Sequence, residues 1–464
     1  MIDLEHTSTV YFIGIGGIGM SALARYFLLR GVAVSGYDRA PTALTGQLIK
    51  EGIPVHFEEN IQLIPKQPDL VIYTPAVPAD HIELQYYRDK GFPMKKRAEI
   101  LGLVSDKYKT IAVAGTHGKT TTSTLIAHIL HAAKKDYLAF LGGISKNYGS
   151  NFLFSEETIF SPGNRSNPVY CVAEADEYDR SFLQLTPEIA IVTSADPDHL
   201  DIYGHADNLK RTFEKFTSRI KEGGHLILKQ GVSIAPVHKN VYAQYSYSVN
   251  HKAAFYPKNV RLAGDLFHFD LVTPGGVLED LAPGIPGMFN LENAIAALAV
   301  GYLTGIDEKT LREALLSYQG VQRRFDFRIR RPDLVYIDDY AHHPVELRAC
   351  ITAARSLYPE KKITGIFQPH LFSRTRDLAD DFARSLDLLD ELYLLDIYPA
   401  REMPIPGVDS GMLLERIHLQ NKKRVTKAEV ISILTIEKPE VLLTLGAGDI
   451  DGLVKPITEA LNEP

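Results

Sequence analysis

The stretch Ile111–Thr122, IAVAGTHGKTTT, restricts this chain more than any other. A short β-branched run leads into Gly115-Thr116-His117-Gly118-Lys119-Thr120, and Leu125, Ile126, Ile129 and Leu130 then recur on one helical face. Strand, Gly-rich turn and helix start make a cradle for a nucleotide triphosphate. Bare glycines let backbone N–H groups approach the phosphates, and the helix N-terminus favours negative charge. Lys119 can reach the β/γ oxygens and the Thr120 hydroxyl can bind Mg²⁺. The usual pattern has a glycine five places before Gly118, where Val113 stands, so the loop reads as a shortened P-loop.

A second phosphate loop precedes it. Thr9–Ile13 reads as a strand, Gly14-Ile15-Gly16-Gly17-Ile18-Gly19 fits GxGxxG, and Met20, Leu23, Ala24, Phe27 and Leu28 follow at helical spacing up to Gly31. A second strand, Val32–Ser35, runs on to Asp38, about where an acid meets a ribose hydroxyl in dinucleotide folds. A UDP-sugar carries the same pyrophosphate flanked by ribose, so the ligand need not be NAD. The strand Leu70–Thr74, a helical stretch around His81–Lys90 and the pair Arg97-Ala98 complete this module.

Placing the two loops in separate modules requires length, and 464 residues suggest three domains at about 150 residues each. The formal net charge of -7 argues against a nucleic-acid or anionic-membrane partner, so any phosphate is held locally. Cys171 and Cys350 lie far apart inside apolar patterns and read as buried free thiols. MIDLEHTSTVYF lacks the features of a leader, and no apolar run approaches the ~18 residues of a membrane span. The expectation is a cytoplasmic protein, monomer or homodimer.

In the second module, Val169–Ala173 delivers Glu174-Ala175-Asp176-Glu177, and Ile189–Thr193 delivers Asp196-Pro197-Asp198-His199. Glu174 and His199 are candidate ligands for Mg²⁺, with Glu174 the more usual type because Mg²⁺ prefers oxygen. Leu209, Phe213, Phe216 and Ile220 form a core stripe on a helix from Asn208 to Ile220. The stretch His225–Val272 alternates in short strands and predicts an antiparallel hairpin layer. A helix bearing Asn290 and Asn293 follows, then another over Glu308–Tyr318.

The third module opens with Arg323-Arg324-Phe325. Its strands Leu334–Ile337, Ile363–Phe367, Leu392–Leu395 and Val441–Leu445 end in Asp338-Asp339-Tyr340-Ala341-His342-His343, Gln368-Pro369-His370 with Arg374, Asp396, and Gly446-Ala447-Gly448-Asp449. Helices lie between them, so a second parallel sheet with one ligand-facing rim is predicted. The fold class is α/β in three domains: residues 1–107, Rossmann-like; 108–321, a P-loop ATPase domain with an added antiparallel layer; 322–464, Rossmann-like.

Along its full length the chain resembles the Mur ligases, through GIGGIGMSALA, AGTHGKTTT, EADEYD, DHLDIYG, RRFD, DDYAHHPVE, FQPHLFSRTRDL, DIYPAREMPIPGVDS and GAGDI, in the family's order. DDYAHHP and QPHxxSRTRDL mark the alanine-adding type. The resemblance implies that ATP phosphorylates the lactyl carboxylate of UDP-N-acetylmuramate and that the amine of L-alanine attacks the acyl phosphate. It gives Gly115, Thr116, Gly118, Lys119, Thr120, Thr121, Asn293, Arg324 and Asp338 to ATP, and Thr120, Glu174 and His199 to Mg²⁺ or Mn²⁺. His117 stands near the transferred phosphoryl group, so that Lys119, His117, His199 and Glu174 form the catalytic set. Gly14, Gly16, Gly17, Gly19, Met20, Asp38 and Arg97 go to the UDP-sugar. Tyr340, His342, His370 and Arg374 face the amino acid, and the C-terminal domain closes to bring it in.

Three positions depart from the family pattern. Leu371 replaces a frequent basic residue after the histidine of QPH, which places carboxylate recognition on Arg374. Phe289 replaces a frequent histidine ahead of Asn290. Phe213 stands where several Mur ligases carry a carbamoylated lysine, so none is expected. The alternatives are a recycling ligase that joins a preformed murein tripeptide to the same sugar, a nicotinamide oxidoreductase built on the first loop, and a non-catalytic nucleotide-binding regulator.

Overall fold

The computed structural model describes residues 3–156, 158, 167–197, 200–235, 241–400 and 402–462. The chain forms two compact units. One comprises Met1–Arg261, His268–Gly284 and Asn290–Gln319; the other comprises Leu262–Phe267, Ile285–Phe289 and Gly320–Pro464.

The first unit holds two large, mainly parallel sheets. Strands β1 (Thr9–Ile13), β2 (Ala33–Tyr37), β3 (Val55–His56), β4 (Leu70–Tyr73) and β5 (Met94–Lys96) are parallel in the order β3-β2-β1-β4-β5. Helices α1 (Ile18–Leu29), α2 (Ala43–Lys50), α3 (Ile82–Asp89) and α4 (Arg97–Ser105) accompany them. The chain winds outward from β1 to β3 on one side and resumes at β4 on the other. The loop after β1 therefore lies at a topological switch point, where open α/β sheets bind ligands.

The middle domain repeats that logic. It contains β6 (Lys109–Ala114), α5 (Lys119–Ala132), β7 (Tyr137–Phe140), β8 (Phe152–Phe154), β9 (Tyr170–Ala175), β10 (Ile189–Val192), α6 (Leu200–Tyr203), α7 (Ala206–Thr217), β11 (Gly224–Lys229) and β12 (Val241–Tyr247). The order is β12-β11-β10-β6-β9-β7-β8, with only the β7–β8 pair antiparallel among these. Central β6 thus has β9 and β10 as its neighbours, and whatever follows those two strands must flank the P-loop. Strands β13 (Tyr256–Ala263), β14 (Leu266–Thr273) and β15 (Gly276–Leu281) make a separate sheet, before α8 (Met288–Leu303) and α9 (Glu308–Ser317).

The second unit carries β16 (Asp326–Arg330), β17 (Val335–Asp339), α10 (Pro344–Leu357), β18 (Ile363–Phe367), α11 (Phe372–Asp377), α12 (Ala379–Leu386), β19 (Glu391–Leu394), α13 (Ser410–Arg416), β20 (Lys422–Arg424), α14 (Lys427–Glu437), β21 (Val441–Leu445) and α15 (Asp451–Asn462). The order is β16-β17-β21-β18-β19-β20, parallel except for the β16–β17 edge pair. Three α/β domains result, two of them within one unit.

The predicted helical faces are core: Leu125, Ile126, Ile129 and Leu130 are buried, as are Leu209, Phe213, Phe216 and Ile220. Helix α7 ends at Thr217, so Ile220 joins the core from the turn beyond it. The predicted hairpin layer needs correction. Gly224–Lys229 and Val241–Tyr247 pair in parallel and extend the middle sheet, and the antiparallel layer begins only at Tyr256. Alternation at period two marks a strand but carries no direction. The edge strands β16 and β20 were also absent from the prediction. Cys171 and Cys350 are buried free thiols. Among the described residues no helix is long and apolar enough to cross a membrane.

Candidate active site

In the loop after β1, the N–H groups of Gly14 and Ile15 both donate to the Tyr37 carbonyl, at 2.8 and 3.0 Å, and that of Gly17 to the Gly14 carbonyl at 3.3 Å. The Gly16 N–H donates to Asp38 Oδ2 at 2.7 Å, so the acid expected at a ribose also ties down the turn. A Cβ at Gly16 would lie 2.8 Å from that oxygen, and one at Gly19 would lie 2.6 Å from Arg97 Nη1. The loop, Asp38 and Arg97 are therefore one assembly. Met20 is buried in the hydrophobic core.

The P-loop follows β6. Gly118 caps α5 with φ +82, and a Cβ there would meet Asn293 Oδ1 at 2.6 Å. Gly115 has φ +134 and no room beside Thr193 Oγ1. Ser194 braces the turn, since its Oγ lies 2.8 Å from Thr116 Oγ1 and accepts the His117 N–H at 2.8 Å. Thr193 Oγ1 donates to the Ala114 carbonyl at 3.1 Å and to that of His117. His117 Nε2 lies 3.6 Å from Asp196 Oδ2. Thr120 and Thr121 are buried on the first turn of α5.

Lys119 is held by protein groups. Its ammonium donates to the Gly115 carbonyl at 2.7 Å and to both oxygens of buried Glu177 at 3.0 and 2.8 Å. Burial acts to lower the Lys119 pKa, but the Glu177, Asp176 and Glu174 charges outweigh it and keep the ammonium protonated. Burial pushes the Glu177 carboxyl up to about 7, and the Lys119 charge offsets only part of that rise.

Glu174 is the next-to-last residue of β9, in register with Val113. Its carboxylate packs on Gly142, where a Cβ would come within 2.1 Å, and its Oε2 is buried without a hydrogen-bond partner. A buried carboxylate oxygen left unpaired is costly, and a hard divalent cation is the partner that suits it. Together with the Thr120 hydroxyl this donor chemistry fits Mg²⁺ or Mn²⁺. His199 and Asp198 lie outside the described residues.

In the second unit the rim gathers at the ends of β17, β18, β19 and β21. Arg323 and Phe325 adopt φ +60 and +48, each a left-handed conformation costing roughly 1–3 kcal/mol for such residues. Acids hold this turn: Asp339 accepts the N–H groups of Phe325 and Ala341 at 2.6 and 2.8 Å, and Asp338 accepts from Arg323 Nε at 3.3 Å and from the Thr444 hydroxyl at 2.7 Å. Burial pushes Asp339 up to about 7, against the pull of Arg324. The guanidiniums of Arg323 and Arg324 each lie 5.0 Å from the Tyr340 ring centroid. His342 Nδ1 lies 3.0 Å from the Tyr340 carbonyl oxygen, and its ring meets those of Tyr340 and His370 at 5.3 and 6.0 Å. Arg374 Nη1 stands 3.4 Å from His370 Nδ1, and Tyr398 stacks on His370 at 5.7 Å.

Family models match this chain in three consecutive parts. Residues 9–109 match the Mur ligase family catalytic domain, 113–301 the Mur ligase middle domain and 323–448 the Mur ligase glutamate ligase domain. The UDP-N-acetylmuramate–L-alanine ligase of Parabacteroides distasonis is 48% identical over 465 residues, covering 99% of this chain and 98% of that relative. The chain belongs to the Mur ligase family. Among solved structures, the UDP-N-acetylmuramate-alanine ligase of Thermotoga maritima has 29% identity and a TM-score of 0.81, covering 98% of this chain and 99% of that one. A murein peptide ligase of Psychrobacter arcticus aligns at TM-score 0.72 with 22% identity, over 98% of this chain and 99% of that one, a likeness of fold alone.

For this Mur ligase, the structure brings the P-loop residues together with Asn293, and Tyr340, His342, His370 and Arg374 with one another. Of the histidine pair, His343 caps α10 by accepting the Val345 N–H at 3.3 Å. Asp338 has both oxygens engaged, and Leu371 is buried at φ +73. Phe289 packs edge-on against Phe325 at 5.8 Å, and Phe213 against Phe182 at 5.2 Å. The sequence assigns no role to Thr193, Ser194 or Tyr398, and it places Glu177 and Asp339 in strand-end clusters without distinguishing what they do. Thr193 and Ser194 were reachable, because they stand at the end of the strand predicted over Ile189–Thr193.

Proposed function

We propose that this Mur ligase joins L-alanine to the lactyl carboxylate of UDP-N-acetylmuramate, with ATP converted to ADP and phosphate. The full-length likeness to an alanine ligase carries this reading. A carboxylate is a poor electrophile. Transfer of the γ-phosphoryl group of ATP to a carboxylate oxygen makes an acyl phosphate, the alanine amine adds to its carbonyl carbon, and inorganic phosphate leaves with the C–O electron pair. Phosphoryl transfer asks a protein for position and charge neutralisation rather than for a nucleophile.

Residues 1–107 would take the UDP-sugar, 108–321 the nucleotide and 322–464 the amino acid. Gly14, Gly16, Gly17, Gly19 and Arg97 serve the pyrophosphate, and Asp38 orders the loop that meets it. Gly115, Thr116, Gly118 and Thr121 shape the phosphate turn, Asn293 buttresses it, and Lys119 supplies positive charge. His117, held at its own N–H by Ser194, stands where the transferred group passes. A divalent cation, Mg²⁺ or Mn²⁺, held by Thr120, Glu174 and His199, would neutralise triphosphate charge. Arg324 serves the nucleotide and Asp338 acts by fixing Arg323. Arg374 is the counter-ion for the alanine carboxylate, beside Tyr340, His342 and His370.

The test is phosphate release with ATP, Mg²⁺ and UDP-N-acetylmuramate, comparing L-alanine with the L-Ala-γ-D-Glu-diaminopimelate tripeptide. Release with alanine is expected. Release with the tripeptide alone would make the protein a recycling ligase instead.

A further inference from the structure

We propose that Glu177 is a positioning residue for the ligase reaction: the resting counter-ion that holds Lys119 on the protein until the phosphates of the nucleotide take the ammonium. The inference rests on the nucleotide reading of the P-loop given above and adds a competitor to it.

An ammonium has three N–H donors. Those of Lys119 meet three protein oxygens, Oε1 and Oε2 of Glu177 and the carbonyl of Gly115, all within 3.0 Å. To reach a phosphate, Lys119 must release at least one of them. Glu177 is 0% exposed and its main chain is fixed, since its carbonyl accepts the Tyr203 hydroxyl at 2.6 Å and the Arg180 N–H at 2.9 Å. Asp179 and Arg180 follow at φ 52 and 55, two successive left-handed residues of a kind kept only where the surroundings over-determine them. The long lysine side chain is thus the part free to move. In a buried setting two anions compete for one cation far more strongly than in water. Glu177 therefore opposes nucleotide binding and favours the departure of ADP.

The sign of the effect separates this role from a structural one. A carboxylate that only shaped the loop would, on removal, weaken ADP binding. Removal of a competitor strengthens it.

Titration calorimetry of Mg-ADP into the full-length protein tests this. Glu177→Gln is expected to lower the ADP Kd by about fivefold to tenfold. In a Lys119→Ala background the same change should alter Kd by less than about twofold, because the competition runs through the ammonium. Asp176→Asn, at a carboxylate 38% exposed and therefore screened, should also alter it by less than about twofold. Glu177→Asp, one methylene shorter, guards against a variant that fails to fold, and it too should lower Kd. An unchanged or raised Kd in the Glu177 variants, or equal tightening without Lys119, overturns the proposal. Failure of the unaltered protein to bind ADP at all would overturn the nucleotide reading beneath it.

Discussion

Gly118 shows how much one residue can decide. Its φ of +82 is disfavoured for any residue with a Cβ, and that Cβ would sit 2.6 Å from Asn293 Oδ1. Gly149 has φ +64 but open space around it, so the two glycines separate conformational strain from collision. Alanine at either costs about 1–2 kcal/mol from the left-handed backbone. Only Gly118→Ala should also displace Asn293 and the turn beside Lys119, raising the ADP Kd more than about tenfold, or about 1.4 kcal/mol. Calorimetry on the two variants checks this, and equal ADP affinities would remove Gly118 from the phosphate site. Gly118 was legible in the sequence because glycine, lysine and threonine at fixed spacing have few other uses. Glu177 was not, since in Glu174-Ala175-Asp176-Glu177 nothing local tells a metal ligand from a counter-ion. That distinction depends on which strand lies beside β9.

Helix α5 carries the P-loop at one end and a buried histidine near the other. His128 Nδ1 lies 2.7 Å from the Tyr148 hydroxyl and Nε2 lies 3.0 Å from Ser317 Oγ, at the last residue of α9. Burial, with a smaller repulsion from His131, pushes its pKa from 6.5 down to about 4. Between those values the unfolded chain binds a proton that the folded chain does not. Stability must therefore rise with pH through that window and fall as pH drops below the unfolded value, by up to ~3 kcal/mol. His128→Gln should flatten the change in unfolding free energy from urea titrations between pH 7 and pH 5 by about 2 kcal/mol, because pH 5 still lies above the folded value. An identical pH dependence in both proteins would show that His128 does not titrate with unfolding. At this scale the sequence was legible where periodicity had one meaning, as in α5 and in the strands Thr9–Ile13, Ile363–Phe367 and Val441–Leu445. It failed at Val241–Tyr247, where alternation fits an edge strand of either direction and the parallel partner β11 is chosen by tertiary packing.

Three α/β domains do not make three independent bodies. Polar and close-packed contacts join the two domains of the first unit. Buried Arg25 of α1 bonds both Glu51 and Asn151, and Asn151, itself 0% exposed, donates to the Ile18 carbonyl and to Ser21 Oγ in the first turn of α1. Helix α4 packs so closely on the turn after β9 that a Cβ at Gly102 would lie 2.5 Å from the Gln184 carbonyl oxygen. Lys96 pairs with Asp179 at 3.1 Å, beside Arg97 over Gly19. Breaking the buried Arg25–Asn151 contact by opening one domain alone would leave unsatisfied groups, at about 1–3 kcal/mol each. The two domains of the first unit should therefore melt as one cooperative body. A ligand that binds only the folded form stabilises the body it binds, by about 2.7 kcal/mol at a hundred times its Kd. In scanning calorimetry, UDP-N-acetylmuramate and ADP, added separately, are expected to raise the same transition. If each moved a different transition, the Arg25–Asn151 contact would be too weak to join the two domains, and the two phosphate loops would belong to bodies that unfold independently.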